Sequence, residues 1–177
     1  MDFRLPLHPM VVHLPLVAAF VAAILYAMSL GVRREGVALA AVIAAMVAAV
    51  GSAAAVWSGD VAHEDLSGGW SRVAHELVEN HEQAGYMTLY VIAALAVAGA
   101  AGYWLGWLKQ TGTRAALALL HIAACALVVF TGHLGAELVY RHGAGVWPVR
   151  DLEPEDSIFR SHGIPTDTPP SLREEYR

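Results

Sequence analysis

The sequence has a single cysteine in 177 residues, and this scarcity removes several classes of protein. Cys125 lies inside an apolar run, so neither a disulfide framework nor a cysteine-based zinc or iron–sulfur site can be built. Any metal would be held by His, Met or carboxylate side chains. HExxH, P-loop and Ser-His-Asp patterns are also missing, so nothing in the sequence indicates hydrolytic or nucleotide chemistry.

Charged residues are scarce as well, at 15% of the chain, with a formal net charge of −5. The eleven Lys and Arg residues are scattered rather than massed on one face, which argues against a nucleic-acid partner. Hydrophobic residues make up 56% of the chain and the mean hydropathy is +0.48, too apolar for an ordinary soluble domain. The composition therefore indicates an integral membrane protein whose main partner is the lipid bilayer.

Four apolar segments approach the roughly 20 residues that a bilayer core requires. They are Met10 to Val32, Gly36 to Trp57, Ala84 to Leu108, and Ala115 to Phe130 continuing to about Tyr140. Because they lack the alternation of a barrel strand, the sequence predicts helices. The expected fold is all-α, a bundle of four transmembrane helices, with the first span retained rather than cleaved as a signal peptide.

The chain changes character after Trp147. From Pro148 to Arg177 there are five prolines and more acidic than basic residues, with too few apolar residues for a core. We expect a transmembrane domain over residues 1–147 and an irregular tail outside the membrane over residues 148–177.

Loop charges predict the orientation. The two short connections carry Arg33 and Arg34, and Lys109 and Arg114, whereas the expected long loop from Ser58 to Asn80 is acidic. Positive residues favour the cytoplasmic side. Both termini and the long loop are therefore predicted outside the cytoplasm, in a multi-pass protein of the bacterial inner membrane. Gly99, Gly102 and Gly106 in the third helix predict close helix packing.

Nine histidines are many for so small a membrane protein. In the predicted topology only His121 lies toward the cytoplasm. The other eight fall at or near the opposite face, and they are His8, His13, His63, His75, His81, His133, His142 and His162. Ionisable residues within a bilayer usually face the bundle interior and mark functional sites, although interfacial histidines can also be merely solvated.

Imidazoles from different helices at one depth are what b-type haem requires. His13 and His133 are the expected axial pair, with His81 and His63 as substitutes. Arg4, Arg72 and Arg141 lie on the same side and are candidates to meet the haem propionates. A second haem near His121 would have only Met28 as a partner, so His121 is better explained as a hydrogen-bonded core residue.

A non-haem metal is the alternative cofactor. His133 and Glu137 share one helical face and could bind zinc, copper or iron with the remaining ligands supplied from elsewhere. The candidates for those ligands are His81, Glu82, His63 and Glu64. A further alternative is that the histidines bind no cofactor.

Two motifs resemble those of a known bacterial membrane family, domain of unknown function 2231. The segment His8–Pro15 (HPMVVHLP) is similar to its opening signature, and Gly132–Val146 (GHLGAELVYRHGAGV) to its closing one, with differences at Ala136 and Ala144. His81 is similar to a histidine that the family commonly has before its third helix. The resemblance implies a four-helix membrane protein, and relatives joined to Rieske-type or c-type cytochrome modules imply a place in electron transfer.

Taken together, these features predict a membrane electron-transfer subunit without bond-making chemistry of its own, working with other membrane or periplasmic redox subunits. The alternative is a structural or assembly subunit. Pro15 lies inside the first helix, where it should free a carbonyl or kink the helix, and we expect the kink to turn His13 inward.

Overall fold

The computed structural model describes residues 7–32, 34–66, 72–142 and 144, and for residues 63–66 and 72–74 it describes the backbone alone. The helices are α1 (Leu7–Val11), α2 (His13–Gly31), α3 (Glu35–Leu66), α4 (Arg72–Trp104) and α5 (Thr111–His142), with a 3₁₀ turn at Trp107–Lys109. Arg4 and the predicted tail, with the domain boundary before it, lie outside the described residues.

Four helical segments are long and apolar enough to cross a membrane. They are Leu7–Gly31, Glu35–Ala62, His75–Trp104 and Thr111–His142, of 25 to 32 residues each. A rise of about 1.5 Å per residue makes each at least as long as a bilayer core is thick. The described part of the chain contains no strand, which confirms the all-α, four-span fold.

The predicted loop from Ser58 to Asn80 is wrong. Helix α3 continues to Leu66 and α4 already begins at Arg72, so most of that stretch is helical. Polarity marks where a chain leaves the apolar layer, not where its helix ends, because a helix satisfies its own backbone hydrogen bonds in water as well as in lipid. Both helices therefore extend past their apolar runs at this end of the bundle.

Helix α4 ends earlier than the apolar pattern predicts, at Trp104 rather than Leu108. Gly106 adopts φ +74°, a left-handed conformation that terminates helices and that glycine adopts without steric penalty. The amides of Leu105 and Gly106 bond to the carbonyls of Ala101 and Tyr103 and close the helix end. Gly106 thus makes a turn and does not serve helix packing as expected.

The first span is interrupted at Val12, between α1 and α2. Pro15 has no N–H, so the carbonyl of Val11 receives no bond from the residue four positions later. The amides of Val12 and Leu16 still bond to the carbonyls of His8 and Val12, at 3.1 and 3.4 Å, so the chain keeps its direction. The expected effect of Pro15 is confirmed as a local break in the hydrogen-bond ladder.

The spanning helices form a closed ring. Helix α2 packs on α3 and α5, and α4 packs on the same two helices, while α1 packs mainly on α3. The core consists of two clusters in which alanine predominates, with Tyr26 as its largest fully buried side chain. Small side chains let the helix axes approach closely, while large apolar residues such as Val50, Val97 and Leu119 face outward, as suits a protein surrounded by lipid.

Two glycines mark the closest helix contacts. A Cβ atom on Gly99 of α4 would overlap the hydroxyl of Tyr26 from α2, and one on Gly51 of α3 would lie 3.1 Å from Cδ of Pro15. Gly102 is buried against Leu108, at an ordinary 3.6 Å from the built Cβ. Close packing is therefore confirmed at Gly99, and Gly102 has room for a methyl group.

We expect Gly99→Ala to destabilise the bundle by roughly 1–3 kcal/mol, because the fully buried Tyr26 ring has no room to move away. Thermal unfolding in detergent measures the loss. Adding Tyr26→Phe should recover most of it, because the Tyr26 hydroxyl has no hydrogen-bond partner to lose. The control is Gly112→Ala, where a methyl meets no atom within 4 Å. If the effects of Gly99→Ala and Tyr26→Phe on stability were additive, the contact between these two residues would be contradicted.

The predicted orientation can be measured with single cysteines in a Cys125→Ser background. We expect Asn80→Cys, at the start of the third span, to react with a membrane-impermeant thiol reagent in intact cells. Gln110→Cys, in the connection before α5, should react only after the membrane is opened. Both positions are exposed in the structure, so burial does not confuse the comparison. The reverse pattern would place both termini in the cytoplasm.

Candidate functional site

One end of the bundle gathers the histidines. At this histidine end α1 and α4 begin and α3 and α5 end, and the opposite end, called the connection end, holds the links from α2 to α3 and from α4 to α5. The described histidine side chains at the histidine end are His8, His13, His75, His81, His133 and His142. Only His8 and His81 among them form a ring contact with each other.

His8 lies on α1 and reaches across to α3. Its Nδ1 is 3.0 Å from the carbonyl oxygen of Ala55 and 3.1 Å from Oγ of Ser58. The ring lies against Gly59, where a built Cβ would come within 3.1 Å of the imidazole Cε1. The absence of a side chain at Gly59 therefore gives the imidazole access to the backbone of α3.

His81 repeats this arrangement between α4 and α5. Its Nδ1 is 3.1 Å from the carbonyl oxygen of Thr131. The ring lies against Gly135, where a built Cβ would come within 2.9 Å of Cε1. In both helices the glycine stands four residues after the carbonyl that binds the imidazole, so the ring occupies the space one turn above its acceptor.

The two imidazoles meet inside the ring of helices. Their centres are 6.2 Å apart and their planes are inclined by 83°. A carbonyl oxygen only accepts hydrogen bonds, so each Nδ1 carries a hydrogen and each neutral ring has its lone pair on Nε2. A histidine whose other nitrogen donates to a backbone carbonyl is oriented and made more basic, as metal-binding histidines commonly are.

A threonine pair links the two helices between which His81 lies. Oγ1 of Thr88 and Oγ1 of Thr131 lie 2.9 Å apart, and each hydroxyl also lies within hydrogen-bond distance of the Ala84 carbonyl. These bonds link α4 to α5 and fix the carbonyl that holds His81. On the other side of the bundle, the hydroxyl of Tyr86 donates to Oδ2 of Asp60 at 3.0 Å and ties α4 to α3.

The structure does not bring together the expected axial pair. The side chains of His13 and His133 are both exposed, on α2 and α5. The expectation that Pro15 turns His13 inward is wrong, because the break in the ladder falls before His13 and leaves its side chain on the outer face of α2. A ligand role for this pair stays a prediction, as it does for His63 and Arg72, whose side chains lie outside the described residues.

Arg141 is already engaged. Its Nη1 lies 2.6 Å from Oε1 of Glu137, one helical turn earlier, and the arginine is exposed. Glu137, a candidate metal ligand in the sequence, is therefore paired with a cation. Within the residues whose side chains are described, no group of three or more His, Cys, Asp and Glu residues is placed to hold a metal ion.

A second polar cluster lies deep in the half nearer the connection end. The rings of Tyr26 and His121 are in contact, with centres 4.6 Å apart and planes inclined by 39°, and Nδ1 of His121 is 2.8 Å from the Leu117 carbonyl oxygen. His121 is 5% exposed, as expected of a hydrogen-bonded core residue. The suggested partner Met28 is 49% exposed on the lipid-facing side, so it does not accompany His121 in the core.

Arg114 belongs to this inner cluster and not to a connecting loop, contrary to expectation. It is the fourth residue of α5, is 6% exposed, and donates from Nη1 to the Ser29 carbonyl at 2.6 Å. The hydroxyl of Tyr26, Nε of Arg114 and Nε2 of His121 are buried without a hydrogen-bond partner. Charge alone assigns Arg114 to the connection, whereas the buried Ser29 carbonyl in the last turn of α2 gives the arginine a partner inside the bundle.

His8 is the site residue that sequence reasoning missed as a ligand candidate. Its position before the apolar run makes it resemble a solvated interfacial histidine. A repeated pattern in the sequence could have indicated His8 as a ligand. In each half of the chain, a histidine at the start of one helix is followed by a glycine near the end of the next helix. His8 precedes Gly59, and His81 precedes Gly135, by similar distances along the chain.

These observations define a four-span helical membrane protein with a histidine pair inside one end. The profile of the family described as predicted membrane protein (DUF2231) matches residues 4–148, and the chain belongs to this family. The match confirms the resemblance seen in the motifs at the two ends of the apolar region. Comparison with curated protein sequences and comparison with solved structures each gave no match.

We expect His8, His81 and His121 to carry their hydrogen on Nδ1 when neutral, because each Nδ1 faces a backbone carbonyl. Nitrogen-15 NMR of the protein in lipid distinguishes the two tautomers of each ring. His13 and His133, which are exposed, serve as internal references. A hydrogen on Nε2 of His8 or His81 would show that the ring is flipped and that its lone pair faces α3 or α5.

Proposed function

We propose that this protein is a membrane electron-transfer subunit that binds b-type haem at the histidine end, with His8 and His81 as the axial ligands. The observation that carries the proposal is the meeting of two imidazoles from different helices, each held by a backbone carbonyl through Nδ1. The Nε2 atom of each neutral ring then has a lone pair that could bind a metal.

The two rings are close enough to hold one group together. Their centres are 6.2 Å apart, and His8 and His81 would hold the haem through their imidazoles. When bound, haem supplies a one-electron couple whose potential depends on its axial ligands. The chain's own part is to supply the nitrogens, orient them through the carbonyls of Ala55 and Thr131, and exclude water with its apolar helices.

The proposal changes the ligand assignment made from the sequence but keeps the cofactor. His13 and His133 lie at a similar depth yet point to the surroundings, where they could instead meet lipid headgroups or a neighbouring subunit. Redox partners would approach at the histidine end, where the site is nearest to water. Arg72 stays a candidate for the propionates, whereas Arg141 would first have to leave Glu137.

A structural role for the same pair is the second candidate. The bonds from His8 to Ala55 and from His81 to Thr131 link α1 to α3 and α4 to α5, and such links would stabilise the bundle with no ligand present. A membrane complex could use the protein as an assembly subunit in this way. The two functions differ in whether purified protein contains iron and absorbs visible light.

We expect protein purified from haem-supplied cells to show a Soret band and, after reduction, a sharp α band. The double variant His8→Gln/His81→Gln should lose both bands, while each glutamine can still donate a hydrogen bond to its carbonyl and so preserve the fold. The matched control is His13→Gln/His133→Gln, which should keep its spectrum. Absorption spectra, iron content and size-exclusion profiles of the three proteins provide the test.

The outcomes separate the hypotheses. Folded wild-type protein without iron or a Soret band would remove haem and favour the structural role. Loss of haem from the His13/His133 variant alone would return the ligand assignment to the pair expected from the sequence. His81→Met adds a readout that a structural histidine would not affect, because a His/Met pair raises the reduction potential of the iron.

A further inference from the structure

Helices α3 and α5 have the same length of 32 residues, and α2 and α4 end at corresponding positions. Adding 73 to the residue numbers of α2 carries its end, Gly31, to Trp104, the end of α4. Adding 76 carries α3, Glu35–Leu66, onto α5, Thr111–His142, at both ends. The bond from the Val32 amide to the Met28 carbonyl likewise becomes that from Leu105 to Ala101.

The difference of three between the two offsets has a structural cause. Three residues, 32–34, separate α2 from α3, whereas six residues, 105–110, separate α4 from α5. The second connection contains the three-residue 3₁₀ turn Trp107–Lys109, for which the first has no room. A two-helix hairpin repeated twice, with a longer turn in the second copy, reproduces the ends of α2 and α4 and both bounds of α3 and α5. The break at Val12 has no counterpart in α4, which begins at Arg72 and is continuous.

The histidine contacts obey the same two offsets. His8 becomes His81, Ala55 becomes Thr131 and Gly59 becomes Gly135. The Nδ1 to carbonyl distances of the two contacts agree, at 3.0 and 3.1 Å. The closed ring also allows a rotation that exchanges α2 with α4 and α3 with α5. Helices α2 and α4 both have α3 and α5 as their neighbours.

The correspondence fails in the half nearer the connection end. Tyr26 and Ser29 of the first hairpin match Gly99 and Gly102 of the second, and Arg114 and His121 match Ala38 and Ala45. Each of these polar residues of α2 and α5 thus has glycine or alanine at the equivalent position of the other hairpin. Symmetry is kept at the histidine end, where the candidate ligands are, and is lost where the core is filled by protein.

We infer that the bundle is a duplicated helical hairpin whose two copies form one two-fold site, in which a single metal-centred ligand lies on the axis between His8 and His81. The inference rests on the proposed function for the nature of that ligand. Gly59 and Gly135 are equivalent positioning residues, because each admits its imidazole to the helix backbone. The two halves of the site therefore contribute equally.

The test compares matched substitutions in the two hairpins. One pair is His8→Gln and His81→Gln, and the other is Gly59→Ala and Gly135→Ala. The controls are Gly36→Ala on α3 and Gly132→Ala on α5, where a methyl meets no atom within 4 Å. Haem content, carbon monoxide binding by the reduced protein and thermal unfolding of the haem-free protein are measured for each.

We expect the two members of each pair to behave alike. Wild-type protein and the controls should not bind carbon monoxide, because both axial positions of the iron are taken. Each glycine variant should bind it, because the added methyl pushes the imidazole away from the axis. In the haem-free protein, the two glycine variants should lower the unfolding temperature by similar amounts, and the controls should not lower it.

The result also separates this inference from the proposed function. Haem that survives His8→Gln but not His81→Gln would overturn the two-fold site while leaving a haem protein. Wild-type protein without haem would overturn the proposed function. The unfolding temperatures of the two glycine variants would then be the remaining test of whether the two hairpins are equivalent. Unequal losses for Gly59→Ala and Gly135→Ala in that protein would contradict this equivalence.

Discussion

The hydrogen bond from an imidazole Nδ1 to a helix carbonyl beside a glycine is the contact on which the histidine end depends. A helix carbonyl is already bonded to the amide four residues later, but its oxygen has a second lone pair. A side chain at that later residue would cover this lone pair. Glycine at positions 59 and 135 leaves it accessible, and the imidazoles of His8 and His81 occupy the space.

This contact explains how two histidines can lie inside a membrane bundle. Burying a polar group without a partner is costly, and in lipid the alternative of hydration is absent. Nδ1 of each ring is satisfied by the neighbouring helix, so only Nε2 still requires a partner or water. The two glycines leave space for the rings, which lie beside each other.

Much of the fold could be predicted from the sequence because spanning helices are limited by bilayer thickness. The four apolar runs, the helical class and the family followed from residue patterns. Helix ends did not follow, because α3 and α4 continue through the polar segments around Asp60 and Glu79, where the chain has left the apolar layer. Gly106 ended α4 by its backbone conformation, which hydropathy does not contain.

The site was predicted less well, and the reason is rotation about the helix axis. Depth follows from counting residues, so His13 and His133 were placed correctly along their helices. Which face a residue presents depends on how neighbouring helices pack, and here alanines and glycines determine that packing. His8 and His81 face inward because Gly59 and Gly135 receive them, a relation between residues about 50 positions apart.

The placement of Tyr26 has a consequence for the path of charge. Its ring and that of His121 pack in the core of the half nearer the connection end, and between them and the histidine end lies a layer of alanine, Ile92, Cys125 and Val128. From Gly135 back to His121 is about 21 Å along α5 at the rise of an α-helix. The proposed haem beside Gly135 would be separated by this apolar layer from the connection end, so its electrons would enter and leave at the histidine end.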